Sequence, residues 1–488
     1  MCTAHRAPYA GRTVSKAPAR EIAQRFGLWD AISIVVGIVV GTTIFRSPML
    51  VFQNSTGAWE ALGIWLLGGI LCLFGALCYA ELATTYPRSG GDYEYLRRAF
   101  GRPVGFLFGW AQLWVVLTAS IGALAYAFAD YGARLWDLTP VATTWLAAAS
   151  VVLLSGINLA GVVLGKTIQN LLSGAKVLGL CGVVIIGMIW GRGGSFADAG
   201  TGSGSPVPSL GLALVFVLYA YGGWNNAVFV AAEVRDQRRN LPRAMLLGLA
   251  AITAIYLAVN AAYLAVLGFE SARQSATPAA DALQRAVGPW GAKAISLLVM
   301  VSALGSMNGT ILTGSRVYAT VGEDHRMFRW LGRWNRRASP AAAIIVQACI
   351  ALLLIVVVGT VRGRGAVDGA LVGIGLAGVP WERYFGGFEA LVAASAPVFW
   401  VFFLMTGIAL FVLRRNDPDR PRPFATPWYP LPPLVFCATC VYMLYSSLEY
   451  ARWLALLGAV PLLLGVPLCW LDRRDMAPRI RGDREPNR

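Results

Sequence analysis

The sequence predicts an all-α polytopic membrane protein with twelve transmembrane helices. Two observations lead to this class: 57% of the 488 residues are hydrophobic whereas 14% are charged, and the charged residues concentrate between long apolar stretches. Runs of about 20 apolar residues are long enough to cross the hydrocarbon core of a bilayer as helices. A soluble chain of this length would instead divide into several domains joined by polar linkers.

Twelve such stretches follow one another along the chain, and we number them TM1 to TM12. They lie near residues 29–52, 60–82, 103–132, 141–160, 168–190, 209–232, 243–267, 291–320, 341–359, 387–413, 430–448 and 453–471. A further apolar stretch, 366–380, lies between TM9 and TM10 and is too short to span comfortably. We expect it to form an external hairpin or a re-entrant segment.

The distribution of positive charge predicts the orientation in the membrane. Of the 41 lysines and arginines, 29 fall in the two tails and in the loops on the side of the N-terminus, and 8 fall in the opposite loops. By the positive-inside rule, both termini are expected in the cytoplasm, with the chain in the plasma (inner) membrane. We attribute the net charge of +16 to this topology and to contact with anionic lipid of the bilayer, and we expect no nucleic acid partner.

The sequence offers little for metal, redox or enzyme chemistry. His5 and His325 lie apart from any cysteine cluster, so neither a metal site nor a cofactor is expected. Cys437 and Cys440 have the spacing of a redox motif, but within an apolar run we interpret them as small packing residues. The spans contain no constellation of His, Cys, Asp and Glu, which argues against an enzyme.

TM1 contains an unusual stretch, GIVVGTTIF, at residues 37–45. Gly37 and Gly41 fit the small-residue spacing of closely packed membrane helices. A second glycine-rich polar stretch, YAYGGWNN at 219–226, lies five helices later in TM6. Transporters with inverted five-helix repeats have broken helices at corresponding positions and bind substrate at the breaks. The pair of stretches therefore favours function over simple packing and predicts that helices 1 and 6 are broken.

Breaks at these positions would create two complementary half-sites. The N-terminus of the outer half of TM1, at Thr42, Thr43 and Ile44, offers N–H donors and a partial positive charge to an anion. The carbonyl ends near Val39 and Tyr219–Gly222 offer acceptors to an ammonium group. Neighbouring sites for an anion and a cation match the carboxylate and the amino group of a free amino acid.

Six stretches carry a resemblance to a known family: VGIVVGTTIFRSP (36–48), YAELATTYPRSGGDYEYL (79–96), AKVLGL (175–180), YAYGGWNNAVFVAAEVRDQRRNLPRAM (219–245), GSMNGTILTGSRVYAT (305–320) and LRRNDPDRPRPF (413–424). In this order, over about 30–450, the chain resembles the L-type amino acid transporters of the amino acid–polyamine–organocation superfamily, in particular a bacterial-type amino acid permease. The resemblance implies the LeuT-type 5+5 inverted repeat. The implied organisation is a tail (1–28), a core (29–413, with repeats 29–190 and 209–413), peripheral helices (414–471) and a second tail (472–488).

The same resemblance implies the roles of individual residues. The backbone around Thr42 and Thr43 would hold the carboxylate, and carbonyl groups of Val39, Tyr219 and Gly222 would hold the amine. Tyr219 would also close over the substrate as a gate. The remaining predicted substrate-binding residues are Gly41, Ile44, Asn225, Ser302 and Ser306. The family usually has glycine where this chain has Thr43, whose side chain is expected to narrow the pocket or restrict the backbone.

Lys176 is expected to take the place of a bound cation. A lysine inside a span is costly and requires a partner, and this one is predicted about two turns into TM5. Similarity to sodium-independent members of the superfamily implies that its ammonium group replaces sodium and bridges TM1 and TM8. Glu81 and Asp130 fall near span ends, so no carboxylate lies at mid-span and uncoupled exchange is favoured over symport.

Three further charges have predicted roles at the gates. Arg46 lies one turn beyond Thr43, where it would neutralise a vestibule carboxylate, contact an acidic substrate or reach water. Arg316 is expected to form a gate or a structural pair. The charges of the 87–96 and 233–244 segments are expected either to form a salt-bridge scaffold for the inward gate, with Glu233 as its acidic partner, or to be solvated.

The leading functional hypothesis is sodium-independent exchange (antiport) of neutral L-amino acids by alternating access. The alternatives are a carrier of cationic amino acids or polyamines, which would need a carboxylate or an aromatic cage at mid-depth, and a proton-coupled amino acid symporter. Eukaryotic L-type members pair with a heavy chain through a cysteine between helices three and four. Residues 133–140 contain no cysteine, so no heavy-chain subunit is expected.

Overall fold

The computed structural model describes residues 24–191, 209–275, 277–373, 375, 378–379, 381 and 387–474. Most of the predicted tails, 1–28 and 472–488, lie outside these residues. Within the described part, eleven helices are long and apolar enough to cross a membrane, and a bent helix pair provides the twelfth span. The prediction of an all-α protein with twelve transmembrane helices is confirmed.

The bent pair is TM1, whose halves Leu28–Val39 and Thr43–Gln53 meet at an angle of 51°. The other spans are TM2 Ala58–Thr85, TM3 Arg102–Trp136, TM4 Pro140–Ala160, TM5 Val162–Trp190, TM6 Leu210–Glu233, TM7 Gln237–Leu267, TM8 Pro289–Asp324, TM9 Ala341–Gly359, TM10 Gly387–Asn416, TM11 Leu431–Ala451 and TM12 Leu454–Arg474. Shorter helices cover Asp92–Phe100, Phe269–Gln274, Pro278–Val287 and Val361–Gly373.

TM5 begins earlier than the hydropathy pattern predicts. Gly161, with φ +144°, separates TM4 from TM5 in a single residue, so TM5 starts at Val162 instead of near 168. Such a φ is readily adopted by glycine because it has no Cβ. Lys176 consequently lies about four turns into the helix, where two were expected. Its ammonium group is therefore deeper than the sequence indicates.

The region after TM9 also differs in part from the expectation. A helix covers Val361–Gly373, where a hairpin or re-entrant segment was expected to begin near residue 366. Asp368 accepts hydrogen bonds from Val379 N and Trp381 Nε1, each at 2.9 Å, so the chain that follows folds back on this helix. Residues 374, 376, 377 and 380 of the predicted segment lie outside the described residues.

TM1 and TM6 are both interrupted, as predicted, but by different backbone conformations. In TM1, Gly41 N bonds to Val39 O at 2.7 Å instead of continuing the helical ladder, and a new α-helix starts at Thr43. In TM6, the α-helix ends at Ala220, Gly223 has φ +103°, and a 3₁₀-helix continues from Trp224 to Glu233. The twelve spans and the two breaks define the LeuT-type fold.

The core of the molecule lies around TM3 and TM8. In each of these helices 72% of the most apolar 18-residue window is buried within the protein, against 22% in TM12. The broken helices TM1 and TM6 pack against this centre and against TM7. The arrangement places both breaks inside the protein, away from lipid, where backbone without helical hydrogen bonds is tolerated.

Candidate substrate-binding site

A cavity of ≈ 170 Å³ lies where the two breaks meet, between TM1, TM3, TM6, TM8 and TM10. Eight of the ten predicted substrate-binding residues line it: Val39, Gly41, Thr42, Thr43, Tyr219, Gly222, Asn225 and Ser306. The other two do not belong to the lining. Ile44 is fully buried in the hydrophobic core, and Ser302 lies behind the TM1 break, where it binds backbone carbonyl groups.

One side of the TM1 break presents backbone N–H groups. Phe45 is the first residue after the break whose N–H finds a backbone acceptor, Thr42 O at 3.3 Å. Within the described residues, the N–H groups of Thr42, Thr43 and Ile44 make no backbone hydrogen bond, and Thr42 Oγ1 is buried without a partner. These donors stand at the positive end of an 11-residue helix. Such a terminus suits a carboxylate.

Lys176 occupies the other side of the TM1 break. Its Nζ donates to Gly37 O at 2.5 Å, to Val40 O at 2.9 Å and to Ser306 Oγ at 3.0 Å. An ammonium group has three donors, so these three acceptors use all of them. The side chain is fully buried. The geometry fits an ammonium that bridges TM1 and TM8, and its role in place of sodium stays a prediction.

Two serines of TM8 bind the carbonyl groups that the TM1 break releases. Ser302 Oγ lies 2.9 Å from Val40 O and 3.0 Å from Gly41 O. Ser306 Oγ lies 3.0 Å from Gly37 O and from Ile38 O. A hydroxyl has a single proton and donates to one acceptor at a time. The carbonyl side of the break is therefore satisfied by protein donors.

Tyr256 of TM7 connects the two breaks and was missed by the sequence analysis. Its hydroxyl lies 3.0 Å from Val39 O and 3.1 Å from Ala220 O. Val39 O also accepts Gly41 N, so this predicted acceptor for a substrate amine already has two protein donors nearby. Tyr219 O accepts Gly222 N at 3.1 Å, and the Tyr221 N–H is shared between Tyr219 O and Val217 O. The sequence has no signal for Tyr256, because tyrosines recur throughout the spans.

Gln112 of TM3 is a second missed residue. It begins a π-helical segment, Gln112–Val116, and such segments are frequent at functional sites. Its side chain lines the cavity, and its Oε1 is buried without a partner among the described residues; the same holds for Asn225 Oδ1. An unpaired buried polar atom costs about 1–3 kcal/mol. Two residues of the cavity lining therefore carry polar atoms without a protein partner among the described residues.

The surface of the cavity presents backbone dipoles and neutral side chains. The described residues that line it include no lysine, arginine, aspartate or glutamate. TM10 contributes the aromatic residues Phe399 and Trp400, and TM3 and TM8 add Ser120 and Thr310. A ligand here would have its charges met at the helix breaks and its remaining surface in contact with neutral groups.

The predicted gating residues lie outside the cavity lining, apart from Tyr219. The Arg46 guanidinium lies 5.9 Å from the centre of the Tyr131 ring. Asp130 interacts electrostatically with Arg46 and Arg134. Glu233, at the end of TM6, forms a buried ion pair with Arg316 of TM8, with 2.8 Å between Oε1 and Nε. Their action as gates stays a prediction.

The scaffold expected in the 87–96 segment is present as a network of ion pairs. Glu94 binds Arg88 at 3.1 Å, Arg97 at 2.9 Å and Arg98 at 2.5 Å, and Arg88 also binds Asp324 of TM8 at 2.8 Å. Asp92 departs from this expectation. It forms no ion pair with a described residue and is buried against the transmembrane core.

These features define a class: a multispan carrier of the LeuT-type fold whose cavity lies between two broken helices. The chain belongs to the amino acid permease family, which matches residues 26–455. It is 30% identical to the human b(0,+)-type amino acid transporter 1, over 83% of this chain and 79% of that protein. It is 29% identical to the serine/threonine exchanger SteT of Bacillus subtilis, over 87% and 91%, and 28% identical to the human cystine/glutamate transporter, over 92% and 85%.

Proposed function

We propose that this protein exchanges neutral L-amino acids across the membrane by sodium-independent antiport. The observation that carries this proposal is an uncharged cavity between the free N–H groups of Thr42–Ile44 and the end of the first half of TM6. The N–H groups bind the α-carboxylate, and the carbonyl groups of Tyr219 and Gly222 accept from the α-amino group. The Thr43 side chain narrows the cavity beside the carboxylate.

The side chain of the substrate then contacts the neutral part of the lining. A cationic amino acid or a polyamine would need a carboxylate or an aromatic cage there, and an acidic one would need a lysine or arginine. The described lining contains aromatic residues such as Phe399 and Trp400 but no charged side chain, and the lack of a carboxylate favours a neutral substrate. Gln112 and Asn225 provide unpaired amide oxygens, which suit neutral side chains that carry a hydroxyl or an amide group as well as small apolar ones.

Antiport is supported by Lys176 and by the relatives. The Lys176 ammonium fills the space between TM1 and TM8 with a permanent part of the protein, so no sodium ion is needed to bind the released carbonyl groups. The relative from Bacillus subtilis is named an exchanger. We further propose that the chain acts without a heavy-chain subunit, since residues 133–140 lack a cysteine, and that both termini face the cytoplasm of the cell.

Counterflow in liposomes tests the antiport mechanism. Purified protein is reconstituted, and uptake of labelled L-serine and L-leucine is measured into vesicles with and without unlabelled amino acid inside. We expect uptake in loaded vesicles and background uptake in empty ones, with or without sodium. Accumulation in empty vesicles under a sodium or proton gradient would contradict antiport.

Recognition of the carboxylate is tested with a matched series of ligands. An amino acid, its amide and the corresponding decarboxylated amine compete against one labelled substrate. Loss of one charge-assisted hydrogen bond costs about 1.5–3 kcal/mol, or roughly 10- to 150-fold in affinity, so amide and amine should compete poorly. Equal inhibition by all three compounds would remove the argument for an anion site at the TM1 break.

A further inference from the structure

Asp92 is a buried carboxyl group that forms no ion pair with a described residue. It is the first residue of the helix Asp92–Phe100, and 2% of its surface is exposed. No lysine or arginine of the described chain lies within ion-pair distance of it, although Arg88, Arg97 and Arg98 all bind the neighbouring Glu94. A buried charge is expensive unless it is paired, so this residue requires an explanation.

Three spans of the transmembrane core surround the Asp92 carboxyl group. Tyr79 of TM2 donates its hydroxyl proton to Oδ1, and Thr406 of TM10 donates to the same oxygen at 2.8 Å. The Asn225 amide approaches the carboxyl group from TM6 and favours its ionised form. Within the described part of the chain, Asp92 Oδ2 and Asn225 Oδ1 are both buried and both lack a partner.

The chemistry of these two oxygens points to a missing proton. An ionised carboxylate and an amide oxygen both accept hydrogen bonds and donate none. A proton on Asp92 Oδ2 would remove the buried charge and turn this unpaired acceptor into a donor. Asn225 also lines the substrate cavity, so the protonation state of Asp92 acts on a residue of the binding site.

A turn of two glycines determines this position of Asp92. Gly90 and Gly91 have φ values of +94° and +49°, and Gly90 N donates to Phe229 O at 3.0 Å. A Cβ atom on Gly91 would lie 2.9 Å from Phe229 Cδ1. The turn thus packs directly on the 3₁₀-helical half of TM6, and separation of these two elements would admit water to Asp92.

Among the described residues, the charged groups packed around Asp92 are paired with other side chains. Tyr79 and Tyr95 interact electrostatically with the Asp92 carboxylate, and Cys440 of TM11 lies near Tyr79. The charged residues of the packed elements bind other partners: Glu94 is held by three arginines, Glu233 of TM6 pairs with Arg316, and Arg414 of TM10 pairs with Glu81. Burial raises the pKa of Asp92 to about 6 in spite of the hydroxyl donors.

We propose that Asp92 is a proton-binding site that holds the 92–100 helix closed on TM6. The carboxylate takes a proton from the adjacent aqueous phase when these elements are packed as in this structure, and it releases the proton to the same phase when they separate. The proton enters and leaves on one side, so no net proton transport results. The inference rests on the proposed function only for its transport assay.

The direction of the pH effect follows from the pKa of Asp92 when the 92–100 helix is packed on TM6 and when the two are separated. The ordinary pKa of an aspartate is 3.8, and the pKa of Asp92 in the packed state is about 6. Protonation therefore stabilises the closed state, and this stabilisation is lost as the pH rises through 6. Between pH 7.5 and pH 5.0 the open population, and with it the exchange rate, falls by about tenfold.

The test measures counterflow of labelled L-serine or L-leucine at several pH values on the side of the 92–100 helix. Asp92→Asn cannot ionise, so its rate should be low and nearly independent of pH between 5.0 and 7.5. Thr406→Val removes a donor to the carboxylate while keeping the side-chain volume, so inhibition should begin at a higher pH than in the wild type. Glu60→Gln, in the first turn of TM2 and so at the opposite end of that span from the 92–100 helix, should keep the wild-type profile. An unchanged pH profile in both Asp92→Asn and Thr406→Val would overturn the proposal.

An infrared measurement separates this proposal from the transport hypothesis. The difference spectrum between pH 5.0 and pH 7.5 should contain the C=O band of a protonated carboxylic acid, and this band should be missing in Asp92→Asn. The measurement needs no substrate. A protein that fails to exchange amino acids but shows the band would contradict the proposed function and leave the proton site standing. A band that persists in Asp92→Asn would contradict the proton site alone.

Discussion

The two broken helices satisfy their backbones in different ways. In TM1, the carbonyl groups of Gly37, Ile38 and Val40 are bound by Lys176, Ser302 and Ser306, and regular α-helix resumes at Thr43. In TM6, Ala220 O has Tyr256 as its side-chain donor. The chain then turns through Gly223 and continues for ten residues as a 3₁₀-helix, in which Asn225 Oδ1 has no partner.

The TM1 break, with the N–H groups of Thr42–Ile44, is a rigid binding surface that we call the TM1 platform. The TM6 break is the more adaptable of the two. The TM1 break is tied to TM5 and TM8 by charge-assisted and hydroxyl hydrogen bonds, so its N–H groups are pre-organised for the carboxylate. A 3₁₀-helix of this length is uncommon because its hydrogen-bond geometry is poorer, and long 3₁₀ segments often mark hinges. The TM6 break is therefore the element that we expect to change conformation with substrate or protonation.

Replacement of Lys176 should have the largest effect. Lys176→Met keeps much of the side-chain length but removes the donors to Gly37 O, Val40 O and Ser306 Oγ. Loss of hydrogen bonds to a charged group costs about 1.5–3 kcal/mol each, so counterflow should fall by about 100-fold or more. Binding of L-serine, measured by thermal shift, should weaken in parallel.

The control is Lys293→Met in the exposed first part of TM8, where the ammonium contacts the Trp290 ring at 5.0 Å. It should exchange amino acids like the wild type. Normal counterflow in a well-folded Lys176→Met protein would show that the TM1 platform does not depend on the ammonium group.

Substitution of Gly223 in the TM6 break and of Gly41 in the TM1 break should have very different effects on transport. Gly223→Ala would place a Cβ 2.7 Å from Ile38 Cγ2 at a φ of +103°, a conformation that costs an L-residue about 1–2 kcal/mol before the steric clash. We expect loss of most counterflow and a lower melting temperature. Gly41→Ala would meet nothing closer than Ser306 Oγ at 3.4 Å, an ordinary contact, and should retain much of its activity. The opposite ranking would contradict the view that TM6 contains the strained break.

The sequence predicts the parts of this site that depend on local backbone chemistry. Hydropathy predicts the spans, and the glycine and threonine clusters predict the two breaks, because both signals are contiguous along the chain. The close-packing interpretation of Gly37 also has a basis, since a Cβ there would collide with Gln169 and Ser173 of TM5, whereas Gly41 lines the cavity.

Residues whose role depends on a distant neighbour could not be predicted. Gln112 and Tyr256 are single polar residues in apolar runs, and nothing local indicates which helix each one faces. The sequence places Asp92 with Arg88 and Glu94 in the charged 87–96 segment, and nothing local distinguishes it from them. Its burial follows from the fold-back of the Gly90–Gly91 turn onto TM6, which is a tertiary contact.

Gln112 should affect selectivity more than overall rate. Gln112→Leu replaces the unpaired amide by an apolar group of similar volume and removes an acceptor for polar substrate side chains. We expect the affinity for L-serine and L-threonine to fall by about 5- to 10-fold relative to L-leucine, the value of one neutral hydrogen bond. Competition curves for these three amino acids provide the measurement. An equal change for all three would indicate a structural role for Gln112.

Thr43→Gly should have the smallest effect, and it tests the TM1 platform at the position where this chain departs from its family. Thr43 lines the cavity, is partly buried and is the first residue of the outer half of TM1. Its removal exposes the backbone N–H and enlarges the cavity by a β-branched side chain. Glycine is also a poorer helix former than threonine, so better access to the N–H group and a less stable helix start have opposite effects on substrate affinity.

We expect uptake of L-serine to change by less than about threefold, which corresponds to less than about 0.7 kcal/mol, while larger neutral amino acids become better competitors. Thr43→Ser is the matched variant, because it removes only the methyl group and should lie between glycine and the wild type. If neither variant alters the ranking of competitors, the Thr43 side chain does not face the bound substrate, and recognition at the TM1 break depends on the backbone alone.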